Sequence, residues 1–520
     1  MPVKIVLALL FGVLLGISWP TAGFTPFIFI AIIPLLWLLE LSKNDGFWIF
    51  STRIFLGFFV WNAITTWWLW NATVFGMFFA IFINCLMMTT VILLWRRIDG
   101  KLGRKAGFIF LPLAWICFEK LHLNWGFSWP WLNLGNGFAN NPDWVQWYEY
   151  SGAFGGTLWI WVVNLSGYHT IKYYMFNKKL GKQFFKTLAL ILIPLGLSFF
   201  IKSEFEQKTE KTLTVTLIQP NIDPYEEKYE QTNQQQYELL IDQTRPELIK
   251  NPDVIITPET YFSEGAGINL SLIEDSKLYQ DLLDYAKINN TQFLNGTQLY
   301  KTYLEEDITK TANKLNNGVW ADFYNSAFLT DTTGVRIYHK SKLVAGVETL
   351  PFRNIIEPLL GNVMLDFGGT VLTRATQDER EAFPLYNGVK ISPIICYESI
   401  YGEFVTGYVR NGAEVLAIMT NDAWWGDTPG YRQHLAYASL RAIETRRAIV
   451  RSANTGVSAF ITPLGEVTSK LPYNTKGVLT ATVYPQSDIT LYVRYGDYIF
   501  RLAGFVAGLL FLFSFSRRKN

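Results

Sequence analysis

Two hydrophobic patterns divide the chain. Over the first two hundred residues, apolar positions run nearly unbroken for about 17–23 residues at a time, the length of a helix that crosses a bilayer. These runs are 3–20, 24–41, 53–70, 73–95, 106–122, 153–171 and 186–202, and one more, 498–515, lies near the C-terminus. Between 203 and 497 no run is long enough to span. There the pattern changes to short β-rich segments alternating with amphipathic helices. Strands are predicted at 213–218, 253–257, 292–297, 325–331, 335–339, 389–395, 414–420, 447–452, 457–462 and 478–483, and helices at 228–249, 273–288, 399–411 and 431–446. Such alternation predicts an α/β layered domain rather than an all-β sandwich. The stretch 351–388 shows no clear period and reads as a long loop region, a kind of segment that is usually functional or mobile. The expected organisation is a bundle of helices over 1–202, an α/β domain over 203–497, and a last helix with a basic tail over 498–520.

Composition supports this division. Of the 520 residues 50% are hydrophobic and only 17% charged, with 19 Trp and 39 Phe. A soluble protein has about a quarter of its residues charged, so much of this chain faces something other than water. The net charge of +2 argues against nucleic acid as a partner. Three cysteines make no disulfide framework. Cys85 and Cys117 lie inside apolar runs and read as small buried hydrophobes, whereas Cys396 has different surroundings.

Charge also orients the helices. Basic residues fall in alternate connections: Lys4; Lys43 and Arg53; Arg96, Arg97, Lys101, Arg104 and Lys105; Lys172, Lys178, Lys179, Lys182 and Lys186; then Arg517, Arg518 and Lys519. The other short connections hold almost none, Lys120 being the exception. By the positive-inside rule both termini are expected in the cytoplasm and the α/β domain outside it. The first run is expected to stay as a helix, because Trp19, Pro20 and Thr21 follow it and not a small-residue cleavage site. The connection 119–152 carries Trp125, Trp129, Trp131, Trp144 and Trp147 among many Gly and Asn. It reads either as an aromatic belt at the membrane surface or as a lipid-contacting arm.

Candidate chemistry sits where predicted strands end. Glu259 follows 253–257, Lys340 follows 335–339, Cys396 follows 389–395, and Asn421-Asp422 follow 414–420. Ligands of open α/β sheets bind beyond the carboxyl ends of the strands. Taken singly, each residue has a plainer reading. Cys396 suits a core position, and Glu259 after Pro258 suits a helix-dipole neighbour. Lys340, near His339 and Lys342, suits a solvated surface, and Glu398 suits an ion pair with Arg410.

Taken together, the motifs resemble those of the nitrilase (carbon–nitrogen hydrolase) superfamily. Within it they resemble the membrane-bound apolipoprotein N-acyltransferases. The resemblance rests, in order, on 215–222, Pro258-Glu259, Tyr324-Asn325-Ser326, Tyr338-His339-Lys340 with Glu348 eight residues on, and Cys396-Tyr397-Glu398. It continues through Asn421-Asp422-Ala423-Trp424-Trp425-Gly426-Asp427, Gln433-His434, Arg441 to Glu444, and Arg451 to Gly456. The chain departs from the family at Ala345 and Gly346-Val347, where Pro and Phe-Gly are usual, and at Thr257, where Trp is frequent.

The resemblance implies a nitrilase-like four-layer α-β-β-α sandwich inserted in a bundle of about eight transmembrane helices. It implies a Glu259–Lys340–Cys396 triad and ping-pong transfer of an acyl chain, from a phospholipid to Cys396 and on to the amine of a diacylated apolipoprotein. Glu259 suits the general base and Cys396 the nucleophile, while Lys340 and the Tyr397 N–H suit the donors to an oxyanion. Glu348 and Glu398 are expected to orient that machinery. Trp129, Trp131 and Trp424 are candidate lipid contacts, and apolar cover from 119–152 and 351–388 would keep water from the thioester. No cofactor is implied. The four histidines, His122, His169, His339 and His434, are too scattered to suggest a metal site. Two other readings share parts of this pattern. A membrane-tethered amidase would use the same triad with water as acceptor. A transporter with a large outer domain would share the helices but lacks the intramembrane charges of an ion path.

Overall fold

The computed structural model describes residues 2–207, 209–223, 230–304, 307–315, 318–352 and 373–516. The middle of the expected loop region, 353–372, and the basic residues Arg517, Arg518 and Lys519 lie outside them. The chain forms two compact units, Met1–Phe205 with Tyr495–Asn520, and Glu206–Arg494.

In the first unit helices occupy every expected apolar run: Pro2–Ser18, Thr25–Phe29 followed by Ile33–Leu41, Phe47–Thr66, Val74–Leu102, Arg104–Asn124, Ala153–Asn177, Lys182–Ser203 and Tyr498–Ser516. Among the described residues, five helical segments are long and apolar enough to cross a membrane: Phe47–Asn71, Val74–Leu102, Arg104–Asn124, Lys182–Ser203 and Tyr498–Ser516. Pro2–Ser18 and Thr25–Leu41 are shorter apolar helices. Ala153–Asn177 has the length, at 25 residues, but carries Asn164, Ser166, His169 and Lys172. Phe78, Phe82 and Leu86, one turn apart on a single helix, are all exposed. An outward stripe of that kind suits lipid and not water.

The charged groups Glu119 and Lys120 inside this unit find partners. The Glu119 carboxylate accepts from Trp115 Nε1 at 3.0 Å, Leu134 N at 2.7 Å and Thr157 Oγ1 at 2.7 Å. Lys120, the exception to the charge pattern, pairs with Asp497 at 2.8 Å. The Trp-rich connection is folded into the unit as short 3-10 turns, Pro130–Leu132, Leu134–Phe138 and Pro142–Trp144. Its Trp131 is fully buried, packed on Trp68 with ring centroids 4.9 Å apart and stacked under Trp129. Trp131 therefore belongs to the interior and offers lipid no surface, contrary to its candidacy as a lipid contact. Trp129 is half-buried.

The second unit is built on two sheets. Its strands are β1 (Leu213–Gln219), β2 (Val254–Ile256), β3 (Ile268–Asn269), β4 (Gln292–Tyr303), β5 (Asn313–Lys314), β6 (Trp320–Leu329) and β7 (Arg336–His339). They continue with β8 (Phe383–Pro384), β9 (Lys390–Ile395), β10 (Val415–Thr420), β11 (Ala448–Ala453), β12 (Ala459–Ile461), β13 (Val467–Lys470) and β14 (Gly477–Val483). One sheet has the order β14-β1-β2-β4-β6-β5, with β3 on β4 and β7 on β6; the other has the order β13-β12-β11-β10-β9-β8. The central pairs β1–β2, β2–β4, β9–β10 and β10–β11 are parallel. Strands covered on both faces read as continuous apolar runs, as in Val-Leu-Ala-Ile-Met-Thr of β10.

The sheets pack face to face. Leu213, Val215, Leu217 and Val254 of the first share a core with Ile391, Val415, Ala417 and Val450 of the second. Helices Asn233–Thr244 and Lys277–Asn289 cover the outer face of the first sheet through Leu240, Leu282 and Leu283. Helices Gly402–Arg410 and Pro429–Thr445 cover the second through Val405, Tyr408, Ala438 and Ala442. The layers are thus α-β-β-α.

Element boundaries differ from expectation where a local cap or cross-strand pairing sets them. The helix expected at 228–249 is Asn233–Thr244, opened by a capping box between Thr232 and Gln235 and followed by a 3-10 turn that contains Pro246. Strands β4 and β6 run on past their expected ends as a hairpin pairing Tyr303 with Trp320. Half of that extension is polar, so its strand character comes from cross-strand pairing rather than burial.

Candidate active site

Glu259 is carried by a tight turn after β2. Thr260 has φ +47, and Gly296 of β4 lies so close beneath that a Cβ there would collide with the Pro258 carbonyl. The turn delivers Glu259 beside β6, where Asn325 Nδ2 donates to its Oε1 at 2.8 Å. Lys340 follows β7, and its own N–H is tied to the Asn325 carbonyl at 2.8 Å. The Lys340 ammonium reaches Glu259 Oε1 at 2.9 Å and Glu348 Oε2 at 2.9 Å. Glu348 is fixed in turn by Asn325 Nδ2 at 3.0 Å and the Val344 N–H at 2.9 Å. Lys340 is 1% exposed and Glu259 7%. The solvated-surface reading of Lys340 is therefore excluded.

Cys396 ends β9 and opens the 3-10 turn Cys396–Ile400. Its φ of +52 lies in the left-handed region, a strained position for a non-glycine residue. The residue is 8% exposed. Burial, reinforced by the Glu259 charge and opposed by Lys340, holds the thiol well above its usual range. It therefore rests protonated and within electrostatic reach of both groups. The Lys340 ammonium is pulled down by burial, but the carboxylates of Glu259 and Glu348 outweigh this and hold it above its ordinary value.

Glu398 does not pair with Arg410, which donates instead to Thr406 Oγ1 and the Val493 carbonyl. Its carboxyl accepts from Tyr338 Oη at 2.6 Å, Ser341 N at 2.7 Å, Ile395 N at 2.8 Å and Tyr408 Oη at 3.0 Å. Tyr338 and Ser341 flank Lys340, and Ile395 precedes Cys396, so Glu398 joins the two segments that carry them. Burial raises its carboxyl pKa despite these bonds. Tyr397 is buried beside Cys396, and Trp424 is half-buried in the turn after β10.

Asn325, which residue order alone gives no role, bridges both carboxylates that hold Lys340. A buried Asn amid the aromatic and apolar residues of β6 was the available signal. A second polar cluster, Asp422, His434 and Arg451, also lies buried against Cys396.

Residues 214–489 match the carbon-nitrogen hydrolase family, and residues 11–166 match the apolipoprotein N-acyltransferase N-terminal domain. Among curated relatives, the apolipoprotein N-acyltransferase of Allorhizobium ampelinum is 30% identical, over 92% of this chain and 89% of its own. The chain belongs to the apolipoprotein N-acyltransferase family. The Chlorobaculum tepidum member is 29% identical, over 99% of this chain and 97% of its own. Among solved structures, an amidase from Nesterenkonia sp. aligns with 56% of this chain and 95% of its own at 15% identity and a TM-score of 0.37, too weak a likeness to carry the fold. As a member of the apolipoprotein N-acyltransferases, this chain is a membrane acyltransferase with a carbon–nitrogen hydrolase domain.

Proposed function

We propose that the enzyme moves an acyl chain from a phospholipid, through a thioester on Cys396, to the N-terminal amine of a diacylglyceryl-cysteine lipoprotein. The supporting observation is the buried Lys340 ammonium between Glu259 and Glu348, next to a thiol that feels both Glu259 and Lys340. Because the thiol rests protonated, attack needs a base. Glu259 takes the proton as Sγ bonds to the ester carbonyl carbon. Negative charge then builds on the carbonyl oxygen and is met by Lys340 Nζ and the Tyr397 N–H, at about 2.7–4 kcal/mol per donor. Collapse expels the glycerol oxygen, which takes the proton from Glu259. The acceptor amine next attacks the thioester, gives a proton to Glu259, and the departing sulfur recovers one.

On this reading the alternating basic connections put both termini in the cytoplasm and Glu206–Arg494 on the outer side of the inner membrane. Trp129 and Trp424, both half-buried, remain as lipid contacts.

The test is incubation of purified protein with acyl-labelled phospholipid and no acceptor. A hydroxylamine-labile label is expected on the wild type and not on Cys396→Ser, and a diacylated lipopeptide should discharge it. Discharge by water at the same rate would replace the transferase reading with that of an amidase-like hydrolase. No label at all would overturn both.

A further inference from the structure

The carbonyl of Cys396 is held by two donors, Ser399 Oγ at 2.8 Å and His434 Nε2 at 3.2 Å. A carbonyl oxygen only accepts, so Nε2 carries the imidazole hydrogen, shared with Ser399 Oγ 2.9 Å away, and Nδ1 keeps the lone pair, 3.2 Å from Asp422 Oδ1. Arg451 Nη2, which only donates, meets that lone pair at 3.0 Å. The same Arg451 nitrogen binds both oxygens of Asp422, at 3.0 and 2.9 Å, while Nη1 donates to the Val457 carbonyl at 2.7 Å. Asp422 also accepts from Thr420 Oγ1 at 3.0 Å. All three side chains are buried, and Gly456 packs on Asp422 so closely that a Cβ would collide with its carboxylate. Burial, together with the Arg451 charge, keeps His434 below its usual pKa against the pull of Asp422, in keeping with a neutral ring.

We propose that His434, held by Arg451 and Asp422, is a positioning residue that aims the Tyr397 N–H at the oxyanion formed during acyl transfer to Cys396. The inference rests on the thioester mechanism proposed above. The peptide joining Cys396 to Tyr397 is planar and trans, so its C=O and N–H point in opposite directions. Two donors on the oxygen therefore fix where the N–H points. They also polarise the amide and strengthen that N–H as a donor. The need for such bonds follows from Cys396 itself. Its left-handed φ favours relaxation of this peptide unless something outside the turn restrains it.

The test compares wild type, His434→Gln and His434→Leu as full-length proteins. Gln has an amide N–H to offer the Cys396 carbonyl, and Leu has none. Single-turnover acylation of Cys396 is measured with labelled phospholipid and, separately, with p-nitrophenyl butyrate. Alkylation of Cys396 by iodoacetamide, a reaction that builds no oxyanion, is measured alongside. Losing an oxyanion donor costs about 10²–10³ in rate, so a misdirected one in His434→Leu should slow acylation by both donors about 10- to 100-fold. Half-saturation with phospholipid should not move, alkylation should stay within about twofold of wild type, and His434→Gln should recover most of the loss. Equal losses in Gln and Leu, alkylation falling in step with acylation, or wild-type acylation in His434→Leu would each overturn the proposal. Wild type that is acylated by the nitrophenyl ester but not by phospholipid would sink the lipid-donor reading while leaving the His434 comparison valid. Wild type acylated by neither would sink both.

Discussion

Glu259 and Lys340 form a buried ion pair, 2.9 Å between Oε1 and Nζ, that joins the turn after β2 to the end of β7. Glu348 completes it from the other side of the ammonium. Burial alone would raise the Glu348 pKa, but Lys340 and then Arg374 outweigh it and leave it below its usual 4.5. A depressed carboxyl contributes stability that is present above its unfolded value and lost as pH falls through the folded one. Lys340, held above its usual 10.5, contributes stability below that value that is lost only as pH rises through the folded one. In the wild type both contributions are therefore intact at neutral pH and the carboxyl part goes in acid. Lys340→Met should abolish acylation and cost about 3–5 kcal/mol at neutral pH, because it strands buried carboxylate charge. Its sign of pH dependence should reverse, since an unpaired buried carboxyl has a raised pKa and favours the protonated form. Thermal unfolding between pH 8 and pH 5 should show the variant gaining stability as pH falls; a flat profile would contradict the ion-pair account.

Cys396 separates two roles of Glu259 that acylation alone cannot. After burial, the Glu259 charge is the largest contribution keeping the thiol protonated. Glu259→Gln removes that charge, so the thiol pKa should fall, and each unit is about tenfold in thiolate near neutral pH. Iodoacetamide consumes standing thiolate and needs no base. The variant should therefore alkylate several-fold faster than wild type at pH 7 while failing to take an acyl group from an ester. The pH midpoint of alkylation reads the shift directly. An unmoved or raised midpoint would mean that Glu259 does not act on the thiol.

Glu398 gives a prediction of a different kind, because it bonds to the flanks of the site rather than to the triad. It accepts from Ser341 N, next to Lys340, and from Ile395 N, next to Cys396. Glu398→Gln keeps the shape but swaps one acceptor oxygen for a donor, so one of these buried N–H groups loses its partner at about 1–3 kcal/mol. The segments that carry Lys340 and Cys396 should then drift apart, and on the proposed mechanism a displacement of about 1 Å costs on the order of a hundredfold in rate. Kinetics should show the loss in kcat with KM for phospholipid little changed. A pure KM effect would instead assign Glu398 to substrate contact.

Much of this arrangement was readable from residue order. The length of the unbroken apolar runs marked the helices of the first unit, and β10 stood out because strands buried on both faces are continuous apolar runs. The ends of the predicted strands 253–257, 335–339 and 389–395 pointed to Glu259, Lys340 and Cys396. What one-dimensional order does not carry is which distant segments meet. Asn325 lies in mid-strand and acts only because Glu259 and Glu348 come to it from 66 residues before and 23 after. Asp422, His434 and Arg451 sit on three separate elements, and each alone looks like a buried polar residue needing a partner. Trp131 fails in the opposite direction. A tryptophan in a Gly- and Asn-rich connection has the composition of a membrane-surface residue, and only the packing against Trp68 and Trp129 shows it to be interior.

Lys120 broke the charge pattern of the connections, and its contact with Asp497 explains how it is tolerated. The two are 2.8 Å apart, and the Asp497 side chain is 4% exposed. The pair ties the helix Arg104–Asn124 to the residue just before the helix Tyr498–Ser516. Removing one partner takes a charge contact from the other in a poorly solvated place, whereas removing both need not cost as much. Lys120→Met should therefore destabilise the protein by about 3–5 kcal/mol, and Asp497→Leu by less, since Lys120 can extend its long stem toward water. The double variant should be more stable than Lys120→Met alone, because the buried carboxylate is removed together with its Lys120 contact. Thermal unfolding of the four proteins in one detergent gives the coupling energy through the mutant cycle. Additive losses would show that the contact contributes no coupling, and Lys120 would then be held by its stem rather than by its charge.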